Sequence, residues 1–161
     1  MVIHNRRLWI LASSLWLIFL FSGCSGTDDG TPYDREQIIT VMKDLDTQAD
    51  VIWGNSGTEW DAEGERELFP TTDEGWQPLV KAADNMAVIG KNLQTLIDKD
   101  DPRAEAWVAY AKGIVDVSQK LALGAQQQDK AITFDDGGVL YQVCTACHGT
   151  FPAPIEETAA E

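Results

Sequence analysis

The chain has 161 residues, enough for one domain of ordinary size and too few for a second independent core. Its 26 Asp and Glu residues against 12 Lys and Arg give a formal net charge of −14. Such a field keeps the domain in solution, disfavours nucleic acid and anionic lipid surfaces, and speeds encounter with a partner that presents a basic patch.

Val2 to Arg7 forms a short basic start, and Leu8 to Phe21 is a run of apolar and small residues ending at Ser22-Gly23-Cys24. That pattern predicts an export signal over residues 1–23. A bilayer-spanning helix needs roughly 20 apolar residues, so an uncleaved membrane helix is the weaker alternative. Phe21-Ser22-Gly23-Cys24 resembles a bacterial lipobox, with Phe21 in place of the usual Leu. The resemblance implies a lipidated Cys24 that anchors the domain to the membrane without crossing it. The alternative is an ordinary signal with Cys24 incidental, which would leave a reactive unpaired thiol outside the cytoplasm. Removal of the signal leaves 10 basic residues against 26 acidic ones. Residues 24–32, rich in Gly, Ser, Thr and Asp, read as a flexible tether, and 33–154 as the domain, followed by an acidic tail over 155–161.

Ile38, Met42, Leu45, Ala49 and Ile52 recur at three- and four-residue steps and predict a first amphipathic helix over Tyr33 to Trp53. Gly54 to Phe69 shows no sustained period and is expected to be a long surface connection without strands. Thr71 with Glu74 three residues later predicts a capping box for the second helix. On that helix Trp76, Leu79, Val80, Ala83, Met86 and Leu93 share a face, and Gly90 admits a neighbouring helix or a flat ligand. Asp101 as N-cap and Pro102 at the first position predict the start of the third helix, which carries Trp107, Tyr110, Ala111, Ile114, Val117 and Leu121 inward. Thr133-Phe134-Asp135-Asp136 supplies expected caps for the fourth, with Val139, Leu140, Val143, Cys144 and Cys147 on one side. Together these elements predict an all-α, antiparallel up-down-up-down four-helix bundle.

Cys144-Thr145-Ala146-Cys147-His148 is the spacing that lets two thiols attach one haem while the adjoining imidazole takes the iron. Cys144 and Cys147 are the expected thioether points, and His148 the expected proximal ligand. Competing uses are a redox disulfide, which normally accompanies a βαβ pattern, a zinc site, for which only Cys144, Cys147 and His148 are at hand unless a carboxylate or a second subunit helps, and a structural disulfide.

The segment Tyr141 to Phe151 around this motif, the stretch Ala49-Asp50-Val51-Ile52-Trp53 and the restart Thr72-Asp73-Glu74-Gly75-Trp76 resemble the class II c-type cytochromes, the cytochrome c-prime group and its low-spin relatives. The likeness covers roughly Tyr33 to Phe151, the middle helices matching in pattern alone. Two departures stand out: Gly149 to Pro154 lacks the basic residue often found after the histidine, and Phe151 replaces a frequent Tyr. Class I cytochromes c instead place the motif near the N-terminus and take a distal methionine from later sequence. Here the methionines beyond the signal are Met42 and Met86, both upstream. The resemblance implies Met42, on the first helix, as the candidate distal ligand; the alternative is a core filler beside an open iron. Ile38 and Val41 are expected as pocket walls, with Trp53, Trp76, Trp107 and Tyr110 able to flank a porphyrin but more often core at such spacing. Met86 is expected to pack.

These features predict a periplasmic, lipid-anchored carrier of one electron with one covalent haem c, a redox partner protein with a basic patch, and no enzymatic chemistry. Bundles of this family often pair through helix faces, so a homodimer is among the expectations. If Met42 does not ligate, a five-coordinate haem would bind nitric oxide or carbon monoxide. If the motif is never matured, the chain is a haem-free helical lipoprotein.

Overall fold

Asp34 opens the first ordered element. Its carboxylate accepts from the Gln37 amide at 2.9 Å and caps helix α1, Arg35–Gly54, whose buried stripe is Ile38, Leu45, Ala49 and Ile52. The computed structural model describes residues 33–152. The expected signal over 1–23, Cys24, the tether over 24–32 and the acidic tail over 155–161 lie outside the described residues. α1 is followed by two short strands, β1 (Thr58–Asp61) and β2 (Gly64–Glu67), and by helices α2 (Asp73–Leu93), α3 (Ala104–Gln126) and α4 (Lys130–Thr150). The domain is thus mostly helical, with four helices and one small two-stranded sheet among the described residues. No helix among these residues is long and apolar enough to cross a membrane.

The strands correct the expectation of an unstructured connection between the first two helices. β1 and β2 form an antiparallel hairpin in which Thr58 faces Glu67 and Asp61 faces Gly64. Both strands are exposed on both faces, so no apolar alternation could announce them. Their turn is held by the Asp61 carboxylate, which accepts from the amides of Glu63 at 2.9 Å and Gly64 at 3.1 Å, and Gly64 takes the positive φ of +122° that favours glycine. Glu59 and Arg66 pair across the strands.

Three helix starts differ from expectation, each for a local reason. α2 is capped by Thr72 rather than Thr71: its hydroxyl accepts from the Gly75 amide at 3.2 Å, while Pro70 packs so closely on that first turn that a Cβ at Gly75 would lie 2.8 Å from its ring. α3 begins at Ala104 rather than Pro102. Asp101 spends its carboxylate on the Arg103 amide at 2.7 Å and on the Arg103 guanidinium at 3.0 Å, making a turn before the helix. α4 begins at Lys130, three residues ahead of the expected caps. Gln128 takes φ +55°, the Asp129 amide returns to the Gly124 carbonyl at 2.9 Å, and the Asp129 side chain then caps Ile132. Thr133 is consequently buried inside the helix with its hydroxyl donating to the Asp129 carbonyl at 2.8 Å.

The core is built on Ile52, Leu79, Met86, Leu93, Leu121 and Leu140, all fully buried. Met86 packs here, as expected. α2 and α3 share the largest contact, fastened at one end by Trp107 Nε1 donating to the Leu93 carbonyl at 2.6 Å and at the other by Gln128 donating to Asp73 at 2.8 Å. Gly90 serves this helix pair rather than a ligand: a Cβ there would meet Val115 Cγ2 at 2.9 Å and the Ala111 carbonyl at 3.1 Å. Gly90→Ala should therefore destabilise the fold by a net ~1 kcal/mol, overpacking of roughly 1–3 kcal/mol outweighing a helix-propensity gain of about 1. Denaturant unfolding of the parent and variant measures this, and an unchanged or higher midpoint would contradict the tight α2–α3 contact.

α4 also meets α3, with Tyr110 and Thr150 hydroxyls 3.1 Å apart, and meets the end of α1, where Trp53 Nε1 donates to the Gly137 carbonyl at 3.1 Å. Its inward stripe is Thr133, Gly137 and Leu140, continued by the partly buried Cys144 and Cys147. Val139 does not share that side as expected; it is 43% exposed, because it lies about 100° around the helix from Leu140.

Candidate functional site

α1 and α4 touch only sparingly, and beside their contact lies a cavity of about 420 Å³. α1 lines it with Ile38, Met42, Leu45, Ala49 and Trp53, residues three or four apart that share one face. α4 lines it with Cys144, Cys147 and His148 from its last two turns, and α3 adds Trp107 and Ile114. The wall is largely apolar; Lys43 and Asp46 stand on it from the next positions of α1.

The end of α4 is locked beneath this cavity. The Phe151 amide donates to the Cys147 carbonyl at 2.8 Å and closes the helix one turn after the cysteine. The Phe151 ring is only 4% exposed and meets Trp107 edge-on at 5.0 Å, with the Arg103 guanidinium 5.7 Å from its centre. Tyr33 stacks obliquely on Trp107 at 5.1 Å, so the residues flanking both ends of the domain brace the same aromatic group. His148 follows Cys147 in the last turn, with its side chain accessible. The Asp101 carboxyl is kept below the usual carboxylate range by its hydrogen bond to Arg103, which fixes the guanidinium that lies on Phe151.

All four residues singled out within the domain, Met42, Cys144, Cys147 and His148, line this one cavity. Cys24 lies outside the described residues. Of the expected walls, Ile38 lines the cavity and Val41 does not, its place being taken by Ile39. Trp53 and Trp107 line it as well, whereas Trp76 stacks on Phe69 and Tyr110 reaches the site only through Phe151. Leu45 and Ala49 went unnoticed as walls although they continue the three- and four-residue rhythm from Met42. Phe151 carried a weaker signal, its place three residues after the histidine.

Both cysteines are free thiols, and burial pushes both pKa values up. Nearby Asp46 adds to the effect at Cys144, and at Cys147, where Cys144 adds to it, the value reaches about 11. Redox dithiols are the reverse case: their reactive thiol is lowered, commonly at the positive start of a helix, whereas this pair sits at the negative end of one. With both thiols free, alkylation of Cys147 by iodoacetamide at pH 8 should therefore run roughly tenfold slower than in a free peptide cysteine, the smaller thiolate fraction being partly offset by the greater nucleophilicity of a more basic thiolate. The rate should keep climbing as pH rises toward 11 instead of levelling near 9. Mass spectrometry of timed reactions checks this, and rapid labelling at neutral pH would return the dithiol reading to contention.

No protein family, curated protein or solved structure matches the chain.

What the site can do follows from its own side chains. Among the described residues no group of three or more His, Cys, Asp or Glu is placed to hold a metal ion. A planar apolar cofactor makes different demands. It needs a cavity of some hundreds of Å³ with aromatic and aliphatic walls and a few fixed attachment points, and those are what α1 and α4 supply.

Proposed function

We propose that this chain is a one-electron carrier, a c-type cytochrome with one covalent haem held between α1 and α4 of an up-down-up-down four-helix bundle. The observation that carries the reading is the meeting of Met42 from the early part of α1 with Cys144, Cys147 and His148 from the last turns of α4 on one apolar cavity. Two thiols and an imidazole from the last two turns of one helix, opposite a thioether on another, suit a tetrapyrrole better than a disulfide or a zinc ion. The antiparallel arrangement is supported by contacts that join helix ends to helix starts: Leu93 with Trp107, Asp73 with Gln128, Tyr110 with Thr150, Trp53 with Gly137.

In this reading Cys144 and Cys147 would carry the thioether links, and His148 and Met42 would hold the iron. Haem, once bound, supplies an iron that alternates between ferric and ferrous states. The rest of the work belongs to the chain. Ile38, Leu45, Ala49 and Ile114 give the cavity apolar walls, and the Phe151–Trp107–Arg103 group packs at the end of α4 just after His148. A thioether distal to an imidazole favours the reduced metal and raises the potential. Export and membrane anchoring through Cys24, giving a periplasmic domain on a lipid tether, complete the proposal.

The test is pyridine haemochrome analysis of the full chain exported from a host with haem-attachment machinery. One haem per polypeptide that survives acid-acetone extraction is the expected result. Exported chain with no haem would leave a haem-free helical lipoprotein.

A further inference from the structure

A second groove, of about 410 Å³, opens on the surface beside the first cavity. Its rims are Phe134 and Tyr141, two turns apart on α4 and 57% and 60% exposed. Gly137 and Gly138 lie between them, so the floor is bare helix backbone. A Cβ at Gly138 would meet nothing within 4 Å, which leaves the space open to an incoming group. The inner wall is Trp53, the one residue that lines both this groove and the cavity of Cys144 and His148. Its indole is fixed by the bond to the Gly137 carbonyl and meets the Tyr141 ring edge-on at 6.2 Å.

The hairpin rises next to the groove. A Cβ at Gly57, at its base, would be 3.2 Å from the Phe134 ring, and Lys130 of α4 pairs with Glu67 of β2. Hairpin and rim together present Glu59, Asp61, Glu63, Glu65, Glu67 and Asp135. The two cations among them, Arg66 and Lys130, are each paired with a hairpin glutamate. An apolar centre ringed by excess negative charge complements a protein whose own patch has an apolar centre and a lysine or arginine rim.

We propose that this groove, with the β1–β2 hairpin as its acidic rim, is the docking surface for a basic redox protein, and that Trp53 is the wall across which the two centres face each other. The proposal rests on the electron-carrier reading and adds where the partner sits. One electron passes between the two iron or copper centres, one oxidised as the other is reduced, and no proton or atom is transferred.

The experiment titrates the isotope-labelled full chain, isolated with whatever haem it carries, with a strongly basic class I cytochrome c as the probe and follows backbone amide shifts. At low salt the moving amides should cluster in 57–67 and 134–142, and raising the salt to physiological strength should weaken binding about tenfold or more. Gly138→Arg places a cationic side chain in the groove from a Cβ position that meets no protein atom within 4 Å; it should weaken binding at least tenfold. Asp116→Asn, an equal charge change on the exposed face of α3, should leave affinity within about twofold. Shifts on another face, no shifts at low salt, or equal loss in both variants would overturn the proposal. Haem content of the same samples is read separately, so its absence would sink the electron-carrier reading while the shift map still decides the surface.

Discussion

Chain carrying Cys144→Ala and Cys147→Ala together, exported from a haem-attaching host, should hold no covalent haem, against one per polypeptide in the parent. The two sulfurs lie three residues apart on the face of α4 that lines the 420 Å³ cavity, and no other cysteine lies between Tyr33 and Glu161. Each single variant should keep one link and a haem that resists extraction. His148→Ala should keep both links and lose the imidazole, so its mass matches a haem-bearing chain while its spectrum does not. Intact mass after denaturation separates these outcomes. Both thiols are only partly buried, so the double variant should retain its helices by circular dichroism, and loss of haem is not then a folding defect. Covalent haem persisting in the double variant would defeat the assignment.

The second large effect concerns Met42. With its thioether on the iron, the oxidised parent should show a weak sulfur-to-iron band at the red edge of the visible spectrum and no response to carbon monoxide. Met42→Ala should abolish that band, bring high-spin features and carbon monoxide binding, and lower the potential by on the order of 0.1 V. Met86→Ala is the matching control. Met86 is fully buried and lines neither cavity, so its loss should cost about 2–5 kcal/mol of stability and leave the spectrum unchanged. A parent that is already high-spin and sensitive to carbon monoxide, with Met42→Ala indistinguishable from it, would replace electron transfer by gas binding at a five-coordinate site.

Helix boundaries show why local signals were informative about elements and poor about their ends. Four amphipathic stripes stood out because a period near 3.6 is repeated over twenty residues, and a one-residue error does not erase it. Caps depend on a single side chain, and here neighbours redirected it: Pro70 pressed the start of α2 to Thr72, Arg103 drew Asp101 into a turn, and Gln128 turned the chain early enough for Asp129 to open α4. The hairpin was illegible for a different reason. Its strands are exposed on both faces and depend on backbone pairing and the Asp61 turn, neither of which leaves a hydropathy pattern.

By itself the sequence determined that four helices form, that two cysteines share one side of the last with a histidine directly after the second, and that a methionine sits on the inward face of the first. These are consequences of short-range spacing, fixed by helix geometry whatever the helices pack against. Only the tertiary structure decided that the two faces line a common cavity, that Trp53 and Trp107 belong to its wall while Trp76 does not, and that Phe151 and Arg103 brace its base. Those outcomes depend on the relative rotation of helices distant in sequence, which side-chain packing across their contacts sets and no local pattern records.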